Sequence, residues 1–330
     1  MNKELWKQLY DVFDSFVEKE AWNNIYAEDF IQLYDKDENV NYYCSIMGRL
    51  GECIGLSIYK GQYGLADFFS ISREYPDQEI IKFIMFDQTC LTFYLGEKEE
   101  VPQEQLEMMK DLKKKYKKGQ YPYFLSFKPH YFPYTLNDDE VKMMIKVVNH
   151  LLKTVTKYIN NEIDVKVGEQ EIIYTTINSD EYEAIAYPQF FDKYHPVILY
   201  DDIIEEAKKC KYGEDSYVFD LNYLSNYIED DEFERPAQSL IFIIYNESLD
   251  EIHYLDLLDP RDDEIDAIVT MLLQLCKNEG IPENIYFRNP KVYQACAHLC
   301  DELDIDLTYM DLEFLDDMYE QLDTYLEERE

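Results

Sequence analysis

The strongest constraint on the fold is a nearly continuous run of apolar residues, Leu240–Tyr245, in the second half of the chain. Such a run is typical of a strand buried on both faces, because a strand with one wet face alternates apolar and polar residues. A second strand-like run, Ile252–Leu258, follows after a short turn, and Asp259-Pro260 ends it. This strand pair therefore requires a sheet that helices cover on both sides.

The remaining periodicity of the second half predicts an α/β domain. Two acidic segments, 201–210 and 219–228, are predicted to be helices that precede the strand pair. The elements predicted after the pair are a helix from about Asp263, a strand at 284–287, a helix at 291–303, a strand at 305–309 and a closing helix from Leu312. The order β-β-α-β-α-β-α predicts a mixed sheet covered by helices.

The first half predicts an α+β domain. Its predicted elements are an opening helix at 3–19, two strands within 42–59, a strand pair at 80–87 and 89–96, a helix after Pro102, an extended stretch at 121–134, a long helix from 138 and strands within 163–187. Asn137 and Glu140 have the spacing of a capping box at the start of the long helix. We divide the chain into an α+β domain at 1–196 and an acidic α/β domain at 197–330.

Acidic side chains dominate the charge of the chain. It has 69 acidic and 31 basic residues, a formal net charge of −38, and residues 201–330 hold 36 of the acidic residues but only nine of the basic ones. An aromatic content of 15% separates it from disordered acidic proteins. A pI near 4.3 disfavours direct binding to nucleic acid or to an anionic membrane and favours a protein partner with a basic surface. The predicted interaction surface is the acidic face of 201–330, including Asp311, Glu313, Asp316 and Asp317.

The sequence carries no pattern that is typical of catalysis or cofactor binding. It has no Gly-x-Ser-x-Gly elbow, phosphate loop or dinucleotide fingerprint, and Gly48, Gly51 and Gly55 within a strand pair predict a turn or bulge. No apolar run approaches the length of about 20 residues that a membrane span needs. The seven cysteines, without metal spacing or an export signal, predict reduced thiols in the cytoplasm. We expect no catalytic residues and no cofactor.

Aspartates cluster at the end of the second predicted strand. Asp256, Asp259 and Asp262 are candidate ligands of a divalent cation, because carboxylate oxygens suit such ions. The alternative is a solvated acidic loop that leads into a helix N-cap at Asp263, where a carboxylate is stabilising by itself. The sequence favours the acidic loop.

Three further groups have both a structural and a functional interpretation. Cys296 and Cys300 could bind a metal, but His298 points to another side of the predicted helix, so core cysteines are favoured. His130 could act as a general acid or base, but the sequence shows no partner for it, so a structural role is favoured. The lysines of 113–118 could contact phosphate, and a solvated helix end is favoured.

The layout of 239–310 resembles the ribonuclease-H and integrase-like core, including the phrase Pro282–Ile285 ahead of a strand. In active members of that group, carboxylates hold two metal ions for phosphodiester hydrolysis. This chain has Tyr245-Asn246 where the first carboxylate is expected and Arg288-Asn289 where the second is expected. The resemblance therefore implies an inactive descendant.

A second resemblance covers more of the chain. Residues 47–52, 55–61 and 127–134 look like the corresponding stretches of uncharacterised bacterial proteins in which one domain of unknown function precedes another. This resemblance implies a bacterial two-domain protein and brings no activity with it.

The expected function is binding without catalysis. One alternative is a metal-dependent nuclease of ribonuclease-H type that uses Asp256 and Asp259 as ligands. The other is an inhibitor that offers carboxylates in place of phosphates to a DNA- or RNA-binding enzyme through residues 201–330.

Overall fold

The structure of the chain is a computed structural model that describes residues 1–51, 53–75, 77–168 and 170–327. Glu52 of the first glycine-bearing turn and residues 328–330 of the predicted acidic domain lie outside the described residues. The chain forms two compact units. The N-terminal unit comprises Met1–Ser72, Gln88–Pro129 and Pro133–Phe191. The C-terminal unit comprises Arg73–Asp87, His130–Phe132 and the chain from Asp192 onward.

Helices and strands are mixed along the whole described chain. In the first half they are α1 (Lys3–Glu18), β1 (Ile31–Asp35), β2 (Val40–Met47), β3 (Ile54–Lys60), α2 (Gly61–Ile71), α3 (Gln78–Phe86), β4 (Cys90–Gly96), α4 (Gln103–Asp111), β5 (Tyr121–Lys128), β6 (Tyr131–Tyr134), α5 (Asp138–Ile159), β7 (Glu171–Thr176) and β8 (Tyr182–Ala186). In the second half they are α6 (Asp201–Ala207), β9 (Ser216–Ile228), β10 (Ala237–Asn246), β11 (Glu251–Leu258), α7 (Glu264–Asn278), β12 (Asn284–Phe287), α8 (Pro290–Glu302), β13 (Asp306–Tyr309) and α9 (Glu313–Glu327). Single 3-10 turns lie at Ala21–Asn23 and Lys98–Glu100.

The N-terminal unit is built on the strand order β5-β4-β3-β2-β1-β7-β8. All neighbours are antiparallel except β1 and β7, which are parallel. Helices α1 and α5 pack against each other, and aromatic rings of α1 fill the core. The Phe13 ring lies 4.4 Å from the Phe93 ring and 4.9 Å from the Phe124 ring. Each aromatic ring of this kind buries a large apolar area.

The C-terminal unit is built on the strand order β11-β10-β9-β12-β13. Strand β10 is antiparallel to both β11 and β9, whereas β12 runs parallel to both β9 and β13. Helices α3, α8 and α9 contact the central strand β9. On one face, Ile241 and Ile243 of β10 pack with Leu315 and Tyr319 of α9. This covering accounts for the burial of one face of the apolar run Leu240–Ile244.

Most of the elements predicted from periodicity are confirmed. Helix α1 and the antiparallel pair β2–β3 lie where the apolar patterns place them. Gly48 and Gly51 between these strands adopt positive φ angles, as a turn requires. Asn137 and Glu140 form the capping box at the start of α5, with both reciprocal hydrogen bonds present. None of the helices in the described part of the chain combines the length and the apolar character needed to cross a membrane.

The helix predicted at 219–228 is wrong, because these residues lie within strand β9. Every residue from Tyr217 to Leu224 is buried, since β9 lies between β10 and β12 and has helices against it. A strand buried on both faces shows no amphipathic alternation. The polar residues Asp220 and Asn222 suggested the solvated face of a helix, although both side chains are buried. The C-terminal unit therefore begins with three antiparallel strands where the predicted order has two.

The strand predicted at 80–87 is also wrong, because Gln78–Phe86 is helix α3. The Asp77 side chain caps this helix by accepting hydrogen bonds from the backbone N–H groups of Glu79 and Ile80. Such a cap satisfies donors that have no partner within the helix. The apolar run Ile80–Phe86 is short enough to suit either element, which periodicity alone does not resolve.

Replacement of Gly55 should destabilise the N-terminal unit. A Cβ atom at this position of β3 would lie 2.7 Å from the Phe93 carbonyl oxygen and 2.9 Å from the Met47 methyl carbon. We expect Gly55→Ala to lower the free energy of unfolding by about 1–3 kcal/mol, as overpacked sites do. Urea unfolding measures this change. In the control Gly213→Ala, the nearest atoms lie 3.5 Å away, so equal losses in both variants would contradict the packing argument.

Candidate functional site

Two buried cationic side chains of the C-terminal unit lie at the short junction between β12 and α8. Strand β12 ends at Phe287, and Asn289 caps α8 by accepting a hydrogen bond of 2.8 Å from the Lys291 N–H. Pro290 occupies the first turn of α8, where its missing N–H costs nothing. This fixed turn places the side chains of Arg288 and Lys291 in the interior. Each cation has its own group of buried partners.

Arg288 is only 2% exposed and contacts three aspartates, and we name this group the arginine cluster. Its Nε donates to Asp220 Oδ2 at 3.0 Å. Its Nη1 donates to Asp316 Oδ1 at 2.6 Å and to Asp77 Oδ2 at 3.2 Å. The Tyr319 hydroxyl also donates to Asp220 Oδ2, at 2.7 Å. The arginine cluster thus joins β9, the β12–α8 junction, α9 and the N-cap of α3.

Carboxylates outnumber cations in the arginine cluster. Burial raises the pKa of Asp220 although Arg288 opposes the shift, and desolvation likewise raises the pKa of Asp316. Asp220 Oδ1 is buried and accepts no hydrogen bond from any described residue. A guanidinium already lies among the carboxylates, so a metal ion there would have to displace a cation that cannot lose its charge.

Lys291 and its partners form a second group, which we name the lysine cluster. Asp87, at the C-terminal end of α3, lies 3.0 Å from Lys291 Nζ through Oδ1 and 2.9 Å from Lys193 Nζ through Oδ2. The Tyr194 hydroxyl donates to Asp87 Oδ2 at 2.9 Å. Lys291 also pairs with Glu264, the first residue of α7. Burial opposes ionisation of Asp87, but the two lysines outweigh it and hold the pKa of Asp87 at about 2.

His130 completes the lysine cluster. Its Nε2 lies 3.1 Å from Glu264 Oε2, and its Nδ1 lies 2.9 Å from the Pro260 carbonyl oxygen. Burial lowers the pKa of His130, although the hydrogen bond with the Pro260 carbonyl oxygen opposes this shift. The sequence offered no partner for His130, because Glu264 is far away along the chain. The structure therefore supplies His130 with two hydrogen-bond acceptors, Glu264 and the Pro260 carbonyl oxygen.

The predicted metal candidates have other partners. Asp259 binds Arg261 through both carboxylate oxygens, at 2.7 Å each, and this bond lowers the pKa of Asp259 to about 2. Asp262 accepts a hydrogen bond from the Asp259 N–H, and Asp256 accepts one from the Tyr254 hydroxyl. Within the described ranges, no group of three or more His, Cys, Asp or Glu side chains is arranged to hold a metal ion.

The cysteines of α8 lie in the core, as predicted. Cys296 and Cys300 are buried, and burial raises the pKa of Cys300 to about 12, which keeps it a thiol. His298 faces elsewhere, and its Nδ1 accepts a hydrogen bond of 3.0 Å from the Leu199 N–H. These three residues therefore do not converge on a common ligand.

The predicted interaction residues divide into two groups. Asp311, Glu313 and Asp317 are exposed to solvent. Asp316 instead turns towards Arg288 and belongs to the arginine cluster. Asp316 lies three residues before the buried Tyr319 on α9, so both side chains face Arg288 and Asp220.

Comparison with known families gives a match in each half of the chain. A family model described as a domain of unknown function (DUF7309) matches residues 6–175. The chain belongs to this DUF7309 family. A second model, also described as a domain of unknown function (DUF6930), matches residues 203–323. No curated protein and no solved structure matches the chain.

The DUF7309 and DUF6930 matches confirm the expected succession of two uncharacterised domains. The two clusters draw on both matches. Asp77, Asp87 and His130 lie within the DUF7309 match, whereas Arg288 and Lys291 lie within the DUF6930 match. All five residues belong to the C-terminal unit. The buried ion pairs thus bind residues of a DUF7309 sequence into a unit formed mainly by DUF6930 residues.

Removal of Arg288 should destabilise the C-terminal unit. We expect Arg288→Met to cost about 3–5 kcal/mol, because Asp220 would remain buried without its cation. Hydrogen exchange in peptides of β9 and α3 measures the local loss. The matched control is Arg261→Met, since Arg261 is exposed and water screens its ion pair, so little stability should be lost. Equal protection in the two variants would contradict an energetic role for the cluster.

Acid should weaken the C-terminal unit through Asp87. The pKa of Asp87 is about 2 when folded and 3.8 without its partners, so its carboxylate stabilises the folded state above pH 4. That stabilisation, about 2 kcal/mol, is lost as the pH falls from 4 towards 2. Urea unfolding at several pH values should show this loss in the wild type. Asp87→Asn should be less stable at pH 7 and lack this component, and an unchanged pH slope would contradict the assignment.

Proposed function

We propose that the protein acts by binding, without catalysis, a protein partner with a basic and apolar surface. The observation that supports this proposal is an apolar patch on the most acidic part of the chain. The binding surface consists of Ile252, Leu255 and Leu257 of β11 and Phe314 of α9, and we name it the β11–α9 patch. Free thiols at all seven cysteines support the expected cytoplasmic location.

The β11–α9 patch extends a face of the sheet beyond the helix that covers it. Leu255 and Leu257 lie opposite Ile243 and Ile241 of β10, whose side chains pack against α9. Because cross-strand partners share a face, both leucines point to the α9 side. They nevertheless remain 41% and 47% exposed. The apolar face of the sheet therefore extends beyond the part that α9 covers.

Contacts at the other end of the β11–α9 patch link the strand to the helix. Ile252 lies opposite Tyr245 of β10, and the Tyr245 ring lies 5.1 Å from the Phe314 ring. Ile252 and Phe314 are 46% and 48% exposed. Contiguous apolar surface of this kind marks interaction sites in proteins.

The negative charge around the β11–α9 patch determines which partner surfaces can bind there. The exposed carboxylates of Glu313 and Asp317 flank Phe314 on α9. A second copy of this chain would bring like charges together, since its net charge is also −38. A partner segment with apolar and basic residues would satisfy both the patch and its carboxylates. In the described chain β11 pairs only with β10, so its outer edge is open to strand addition.

We also propose that the C-terminal unit is a ribonuclease-H-like scaffold that has lost its metal site. Three antiparallel strands followed by two parallel ones support this proposal. Because the first strand is β9, the position of the first carboxylate falls on Asp220 and not on Tyr245-Asn246. Arg288, at the second position, binds Asp220 directly. This pairing disfavours the nuclease alternative.

Affinity capture with designed variants tests the binding proposal. Wild-type protein should retain a specific partner from a lysate of its host, and 0.5 M salt should weaken the complex because exposed charges are screened at that ionic strength. Leu255→Ser/Leu257→Ser should lose the partner while the fold is retained. The control Leu50→Ser changes an exposed leucine of the N-terminal unit and should bind as the wild type does.

Two outcomes would overturn the assignment of the patch. One is retention of the partner by the double leucine variant, and the other is equal loss in the control. Competition with duplex DNA adds a further distinction. A captured partner that DNA displaces is a nucleic-acid-binding protein, which is the result expected for an inhibitor that mimics phosphates.

A further inference from the structure

A cleft lined by lysines lies in the N-terminal unit of this strongly acidic protein. Its volume is about 790 Å³, and α4 and the segment after it form its walls. The positive charge and the aromatic surface of the cleft come from the lining residues Lys98, Lys110, Lys113, Lys115, Tyr116 and Tyr121. The volume falls within the range of roughly 300–1,000 Å³ that is typical of small-molecule sites.

The local backbone explains why the lysines converge. Helix α4 ends at Asp111, earlier than the sequence predicts, and Lys113 adopts a left-handed conformation with φ of 58°. The Lys114 N–H then donates to the Met109 carbonyl oxygen at 2.9 Å, which closes the helix end. The chain after α4 therefore folds back along the cleft, so that Lys113–Tyr116 line it together with Lys110.

Of the five lysines that line the cleft, only Lys114 is neutralised by described residues. Lys114 pairs with Asp11 and Asp14 at 2.7 and 2.6 Å. Among the described residues, Lys98, Lys110, Lys113 and Lys115 make no ion pair. Glu107 is the only carboxylate among the lining residues.

This excess of positive charge is local and out of keeping with the rest of the chain. Six of the 31 basic residues lie within 110–118, a run with a single acidic residue. Cations this close repel one another, and a bound anion would relieve the repulsion. The surrounding negative charge disfavours a long nucleic acid, which would have to pass over it, and favours a small anion that fits within the cleft.

One wall of the cleft is aromatic. The Tyr116 hydroxyl donates to Asp14 at 3.1 Å, which fixes the ring, and the Tyr121 ring lies 6.1 Å from it. Leu106 and Met109 extend this wall. A planar apolar group could therefore lie beside the phosphates of a ligand, in the combination of stacking and charge by which proteins bind bases.

We propose that the cleft binds a small ligand with several phosphate groups, of the nucleoside di- or triphosphate class. The free lysines bind the phosphates, and the tyrosine wall contacts the base. This site is separate from the β11–α9 patch, so either assignment can fail without the other. Free polyphosphate shares the same charge chemistry and is the second source of such a ligand.

Calorimetric titration of the full-length protein with ATP, inorganic tripolyphosphate and adenosine tests the proposal. We expect ATP and tripolyphosphate to bind and added salt to weaken both. Lys113→Gln/Lys115→Gln should weaken binding about tenfold, which corresponds to about 1.4 kcal/mol for the two lost charge contacts. Lys19→Gln/Lys36→Gln removes two exposed lysines of the same unit that do not line the cleft, and should change affinity less than about twofold by comparison.

Tyr121→Leu distinguishes the two sources. If the ligand is a nucleotide, this variant weakens ATP binding and leaves tripolyphosphate binding unchanged. If both ligands bind equally in the wild type and in Tyr121→Leu, the site holds free polyphosphate. Absence of binding by both ligands, or an equal loss in the two lysine variants, overturns the proposal. Circular dichroism of each variant shows that the fold is retained.

Discussion

The burial of two cations at the β12–α8 junction governs the organisation of the C-terminal unit. A buried charge is costly unless it is paired and hydrogen-bonded, so Arg288 and Lys291 require carboxylates from the elements around them. Asp220 of β9, Asp316 of α9 and Glu264 of α7 supply part of this need. Each pairing fixes the position of another element against the junction.

The two ends of α3 supply the rest. Asp77 precedes the helix and binds Arg288, whereas Asp87 follows it and binds Lys291. The apolar residues between them pack as well, since the Phe83 ring stacks on Tyr223 at 5.2 Å. Two of the nine basic residues of 201–330 are thereby internal, and so are Asp220 and Glu264 of the same segment. These buried charges offset one another, so the net negative charge of the segment remains at its surface.

The sequence predicted those elements whose signals are local. Helix α1, the capping box of Asn137 and the apolar strand β10 carry their own periodicity or cap, and the core position of Cys296 follows from helical spacing. Strand β9 was missed because burial on both faces removes the alternation that identifies a strand. Helix α3 was missed because its apolar run is short, although Asp77 is a recognisable cap. The arginine and lysine clusters could not be predicted from the sequence, because their members are far apart along the chain. Asp77 and Arg288, for example, are separated by 211 positions. Composition could indicate an excess of acid, but it could not show which carboxylates face inward.

The long separation between α3 and its partners has a consequence for how the chain is assembled during synthesis. Residues of α3 leave the ribosome well before Arg288 and Lys291 exist, and until then Asp77 lacks its arginine and Asp87 can pair only with Lys193. The C-terminal unit can therefore close only after most of the chain has been made, and its folding depends on contacts of very high sequence separation, which form slowly. For the same reason, a fragment that begins after the N-terminal sequence match would lack α3 and would leave two cations without part of their charge balance. The C-terminal unit therefore needs residues from both family domains in order to fold with its buried charges balanced.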